Sequence, residues 1–244
     1  MSLLTAMRVE HRKLRRSLAL VLALSVPLLI AVFLFFNLLR WHQARPWEQC
    51  MQMGAAIWAF FMLPMGVTAL AVLVAQVEHG SRSWDHLRAL PTPRWHLYLA
   101  KTAWVLGTVA LMNLGVMAGS AAALYLAGRV EPLVAPQGPF DLAQYALLYA
   151  RMYLSALLLV AVQLWLALRY ASFVPALAAG IGGTFFAVVA SSAKIGVVLP
   201  WQVPINLLAS DPARARIALL WGFLGGLAAL ALMLAHLARR EVRG

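Results

Sequence analysis

Along the chain the apolar positions do not alternate with polar ones; they run together in long blocks separated by short charged segments. Six such blocks lie at 17–39, 49–77, 102–128, 142–168, 170–193 and 217–238, and only Arg151 and His236 interrupt them. They hold 22 to 29 residues each. A helix needs about 20 apolar residues to cross a hydrocarbon core roughly 30 Å thick, because every backbone amide inside lipid must find its partner within its own segment. Each block is long enough to cross once and too short to cross twice. The pattern therefore predicts an all-α integral membrane protein with six transmembrane helices. It also predicts one permease-sized domain over residues 1–244, since the segments between blocks reach only about two dozen residues.

Composition agrees with the pattern. Hydrophobic residues make up 63% of the chain and charged residues 11%, against about 45–50% and about 25% in soluble domains. That excludes a soluble enzyme. The single cysteine, Cys50, excludes an internal disulfide framework and a thiolate metal cluster.

Net charge is +12, and its placement changes its meaning. With a cytoplasmic N-terminus, thirteen of the twenty Lys and Arg fall on the inside: Arg8, Arg12, Lys13, Arg15, Arg16, Arg82, Arg88, Arg94, Lys101, Arg169, Arg239, Arg240 and Arg243. The other seven, Arg40, Arg45, Arg129, Arg151, Lys194, Arg214 and Arg216, lie toward the outer face. This asymmetry places both termini in the cytosol, and it makes the basic excess an insertion signal and a lipid contact rather than a nucleic-acid footprint. Trp41, Trp47, Trp95 and Trp201 stand at block ends, where amphipathic rings prefer to lie. The first block reads as a retained helix, since Phe33 to Leu39 offers no small-residue cleavage site.

Three segments outside the blocks have a character of their own. Residues 2–16 place Leu3, Leu4, Met7 and Leu14 on one side of a helix and most of the basic residues elsewhere, the pattern of an interfacial helix. In the cytoplasmic loop, residues 78–98, Ser83 is a cap for a short helix over 84–90, which Pro91 stops. Thr92 and Pro93 then open the next helix. That loop reads either as a rigid docking knob or as an interfacial turn. The outer segment 194–216 is apolar at its centre, is broken by Pro200, Pro204 and Pro212, and is too short to cross, so it reads as a re-entrant cap packed on the helices.

Chemistry is sparse. All eight acids, Glu10, Glu48, Glu78, Asp85, Glu131, Asp141, Asp211 and Glu241, lie at or beyond block ends, and the six histidines show no metal-ligand spacing. Met51, Met53, Met62 and Met65 suit copper or, equally, ordinary packing. No GxSxG and no Walker A loop is present in the sequence, so uphill transport would need a motor on another chain. Arg151 is the permanent charge inside a block, about ten residues from its end. It reads as the contact of an anionic group or partner carboxylate, or as a snorkelling, helix-packing ion. Trp58, Phe60, Phe61, Phe185 and Phe186 line an amphiphile path or face lipid and neighbouring helices. Gly115 with Gly119, and Gly222 with Gly226, are two GxxxG pairs that permit close helix approach.

The basic amphipathic start, Glu10-His-Arg-Lys-Leu-Arg-Arg-Ser17, leads into the first block. The second block ends in Glu78 and is followed by Trp84, Leu87, Leu90-Pro91, Arg94 and Lys101. This layout resembles the membrane subunit of type-2 ABC transporters, and among them the small permeases of lantibiotic immunity and bacitracin resistance. The resemblance implies an N-terminal elbow helix over residues 1–16, a coupling helix between spans two and three, and re-entrant extracellular helices between spans five and six. It implies that Glu78, Ser83, Trp84, Asp85, His86, Leu87 and Arg88 contact an ATP-binding cassette subunit, present as a dimer. It further implies a substrate path at Trp58, Phe61, Met65, Arg151, Phe185 and Phe186. The chain itself would be non-catalytic and bind no cofactor; ATP and magnesium would sit on the partner. A second permease copy, identical or similar, would complete the complex in the bacterial cytoplasmic (inner) membrane. The cargo expelled would be an antimicrobial peptide, lipid or other amphiphile. The rival classes are a membrane scaffold and a lipid-modifying membrane enzyme.

Overall fold

The computed structural model describes residues 3–14, 17–80, 94–190 and 194–239. Ten α-helices make up most of them, and the described residues contain no strand. Helix α1 is Leu3–Leu14 and α2 is Leu18–Leu39. The second block forms α3, Trp47–Ile57, a π turn at Trp58–Met62, and α4, Leu63–Gly80. Helix α5, Arg94–Val130, is the longest. The fourth block gives α6, Leu142–Ser155, and α7, Leu157–Arg169, separated at Ala156. Helix α8 is Val174–Val189. The last block gives α9, Pro212–Leu220, a π turn at Trp221–Gly225, and α10, Gly226–Arg239.

The helix starts follow from local chemistry. The Ser17 hydroxyl accepts from the Ala19 amide at the head of α2. Asp141 caps α6 through the Gln144 amide at 3.0 Å, and Asp211 caps α9 through Ala213 with Pro212 in the first turn. Each cap supplies an acceptor to an amide that has no partner inside the helix.

Five helical segments are long and apolar enough to cross a membrane: Leu18–Leu39, Trp47–Val77, Trp95–Val130, Leu142–Arg169 and Pro212–Arg239. The 170–193 block, expected to form a full span, yields the sixteen residues of α8. At 1.5 Å per residue these cover about 24 Å, less than the roughly 30 Å of a hydrocarbon core. At its N-terminal end Tyr170 to Phe173 lie outside the helix and Pro175 sits in its first turn. Proline fits there because its missing N–H would have no helical partner in that turn.

Both GxxxG pairs lie at close approaches. A β-carbon on Gly115 would come 3.1 Å from Pro27 Cγ, and one on Gly119 3.4 Å from Ala31 Cβ, so α5 lies close against α2 around its internal proline. At Gly226 a β-carbon would stand 2.6 Å from the Leu158 nitrogen, and at Gly222 it would overlap the Ser155 backbone. The last helix thus packs backbone to backbone against the break in the fourth block.

At the end taken as extracellular, two loops are stapled together. The Gln137 amide donates to Arg45 O at 2.8 Å, and the Trp47 amide donates to Gln137 O at 3.0 Å. Arg45 lies over the Trp41 ring, and Trp47, Phe140 and Tyr145 follow one another, the first pair edge to face and the second tilted, with ring centroids 5.0 and 5.2 Å apart. This staple fixes where α3 begins, and with it Glu48.

Candidate functional site

At the end taken as cytoplasmic, α1 packs on the first turns of α5. Lys101 Nζ lies 2.8 Å from Glu10 Oε2, with both side chains buried, and Lys13 lies 3.8 Å from Glu10 Oε1. The face of α1 that packs is Ala6 and Glu10, whereas Leu4 is exposed. The sequence pattern groups Leu3, Leu4, Met7 and Leu14 on one side as the stripe of an interfacial helix and does not mark Glu10 as a packing position. The ion pair gives α1 a charge-assisted hydrogen bond that a leucine cannot make. Glu10 is therefore not simply an interfacial carboxylate. It fastens the N-terminal helix to the exit of the 78–98 loop.

The loop itself holds the expected ATPase contacts. Glu78 lies at the end of α4, while Ser83, Trp84, Asp85, His86, Leu87 and Arg88 lie outside the described residues. The described helices deliver the loop from α4 and receive it at Arg94.

Two polar networks cross the middle of the bundle. In the first, Trp58 Nε1 donates to Asn113 Oδ1 at 2.9 Å, and Asn113 Nδ2 donates to Tyr149 O at 2.9 Å. Trp58 is fully buried. Its π turn, Asn113 of α5 and the α6 backbone are thereby joined.

The second network centres on Gln163 of α7, with its amide oriented to satisfy both ends. Its nitrogen donates to Ala176 O, and its oxygen accepts from the Gly180 amide at 3.1 Å, Trp201 Nε1 at 3.0 Å and Thr68 Oγ1 at 3.3 Å. One side chain thus bridges a carbonyl and an amide one turn apart on α8, and it also holds Trp201 of the outer segment. Gly180 and Gly183 make this contact feasible: β-carbons there would collide with Thr68 and the Trp201 ring.

The outer segment is packed rather than loose. Gln202, Val203, Pro204 and Asn206 are buried. Asn206 donates to Gly196 O and Gln202 O and accepts from Arg214 Nε at 2.6 Å. Trp221 Nε1 donates to Val198 O. Two cavities flank its tip, sharing Leu208, Ala209 and Ser210. One, about 440 Å³, meets Phe60, Asn206, Asp211 and Arg214. The other, about 470 Å³, opens onto Glu48, Gln52, Tyr145 and Arg151.

The six residues of the expected substrate path do not share one surface. Phe61 and Phe185 meet edge to face at 6.4 Å and are exposed, as is Phe186. Met65 is half-buried near them on α4, Trp58 is enclosed in the core, and Arg151 lines the larger outer cavity. Sequence reading did not find the Glu10–Lys101 pair, the Gln163 network or the Glu48 wall of that cavity. For Gln163 and Asn113 a signal existed, namely an amide side chain within an apolar block. Among the described residues no group of His, Cys, Asp and Glu is arranged to hold a metal.

Residues 6–191, about three quarters of the chain, match the family model described as ABC-2 family transporter protein. No curated protein and no solved structure matches the chain.

Proposed function

The chain belongs to the ABC-2 transporter family, and from that premise we propose that it is the six-span membrane subunit of an ATP-driven exporter. A separate ATP-binding subunit, bearing ATP and magnesium, supplies the energy, and two permease chains pair around the path. The cargo is an amphiphile such as an antimicrobial peptide or lipid, as in the lantibiotic-immunity and bacitracin-resistance permeases that the sequence resembles. Both termini lie on the cytoplasmic side of a bacterial inner membrane, with α8 as the fifth, short crossing.

The family match carries this reading, and the Glu10–Lys101 pair gives it a mechanical form. Closure of the ATP-bound dimer pushes on the 78–98 loop. Lys101 stands at the loop's exit, and its buried bond to Glu10 makes α1 and the start of α5 move as one body. The displacement then passes into the spans instead of being absorbed in a turn. Trp84, Asp85 and Arg88 would supply an aromatic anchor and paired charges to the ATPase groove, the residue types that dominate interface energetics.

A pull-down from native membranes tests the reading. The tagged chain should retain an ATP-binding subunit, and Trp84→Ala or Asp85→Arg should lower the retained amount at least about tenfold, the effect of losing one interface anchor. Unchanged retention in both variants would remove the loop from the ATPase contact. Retention of no ATP-binding subunit by the wild-type chain would contradict the transporter reading itself.

A further inference from the structure

The larger outer cavity carries two opposite charges that do not meet. Arg151 projects from α6, nine residues after its first residue and so about 14 Å along the axis. Its guanidinium has no ion pair among the described residues. Glu48 stands in the first turn of α3 and accepts a hydrogen bond from Gln52 Nε2 at 3.1 Å, and it too lacks a cationic partner there. Both side chains line the same 470 Å³ space.

An arginine at that depth is costly unless an anion or water satisfies it. Glu48, in the first turn of α3, contributes the opposite sign. Two such groups, lining one cavity and unpaired with each other, suit a ligand that carries both signs of charge. Leu147, Leu148, Leu207 and Leu208 give the wall an apolar part, beside the polar Gln52, Gln144 and Ser210, and Leu147 is exposed on the surface of α6. That combination suits a head group joined to a hydrocarbon chain. The volume lies within the range of small-ligand pockets.

We propose that this cavity binds the head group of a zwitterionic phospholipid. Arg151 takes the phosphate, in the two-pronged geometry that guanidinium favours, Glu48 takes the ammonium, and the leucines meet the start of the acyl chains. The inference deepens the exporter reading by giving its outer face a lipid specificity. It rests on that reading only in requiring that the chain crosses a bilayer, and its test needs no ATPase.

The full-length chain is reconstituted in nanodiscs of equal parts phosphatidylethanolamine and phosphatidylglycerol with matched acyl chains, then extracted, and the retained lipids are counted by mass spectrometry. Wild type should enrich phosphatidylethanolamine at least about fivefold, the discrimination expected from one partly exposed charge contact. Glu48→Gln should invert the ratio toward phosphatidylglycerol by leaving Arg151 unopposed. Arg151→Gln should lose both lipids, and Arg151→Lys should keep the phosphatidylethanolamine preference. Because the readout is a ratio between lipids, a general loss of fold would lower both and could not produce the inversion. A wild-type preference for phosphatidylglycerol, as a merely snorkelling arginine would give, or a ratio unmoved by Glu48→Gln, overturns the proposal. Neither result would bear on ATPase retention by the 78–98 loop.

Discussion

Two residue-scale contacts separate structural from functional roles. Lys101 and Glu10 are a buried ion pair, so removing one partner leaves an uncompensated charge while removing both leaves a packable apolar seam. Lys101→Met should therefore cost about 3 kcal/mol, and the Glu10→Leu/Lys101→Met double variant should recover most of that loss. Thermal unfolding in nanodiscs measures this; equal loss in the single and double variants would mean that the pair does not hold α1. Trp58, which the sequence placed on a substrate path, is enclosed and donates its indole N–H to Asn113. Trp58→Phe should cost about 1–2 kcal/mol, the usual effect of leaving a buried acceptor unpaired, with export per folded molecule retained. Lost export at unchanged stability would return Trp58 to the path.

Among elements, the glycines sort into two kinds. Gly222 lies against the Ser155 backbone, whereas a β-carbon on Gly107 or Gly182 would meet nothing within 4 Å. Gly107→Ala and Gly182→Ala should each stabilise by up to about 1 kcal/mol, because alanine loses less backbone entropy in a helix. Gly222→Ala should instead force α9 and α10 away from α6 and α7 and lower the yield of folded protein. Equal thermal shifts for the three variants would refute the close packing. The GxxxG spacing did mark this contact in the sequence, as the uninterrupted blocks marked the helices. The break at Ala156 and the two π turns left no comparable trace, because Trp58–Met62 and Trp221–Gly225 are as apolar as their surroundings and only packing against neighbours distinguishes them. The Glu10–Lys101 pair was hidden for another reason: its members are 91 residues apart, and each alone reads as an interfacial charge.

For the whole molecule, topology and energy coupling are the claims that matter. The membrane character and the all-helical fold were legible from block length alone. The length of α8 was less so, because hydropathy registers an apolar block without showing that its helix stops at sixteen residues. In a Cys50→Ala background, a cysteine at His42 should react with an impermeant maleimide applied from outside, whereas one at Ser2 or Gly244 should react only after the cytoplasmic side is opened. Labelling of position 244 from outside would reduce the crossings to an odd number. The outer cavity with its two unpaired charges was half visible: Arg151 stood out in its block, but Glu48 reaches the same space through the loop staple at Arg45, Trp47 and Gln137. As an exporter subunit the chain borrows its energy through the 78–98 loop, which ATP hydrolysis by the co-purified subunit checks in proteoliposomes with wild-type and Asp85→Arg chains at equal occupancy. Hydrolysis should depend on the wild-type chain and fall at least about tenfold with Asp85→Arg; hydrolysis that proceeds identically with either chain, or without any, would rule out coupling through the loop.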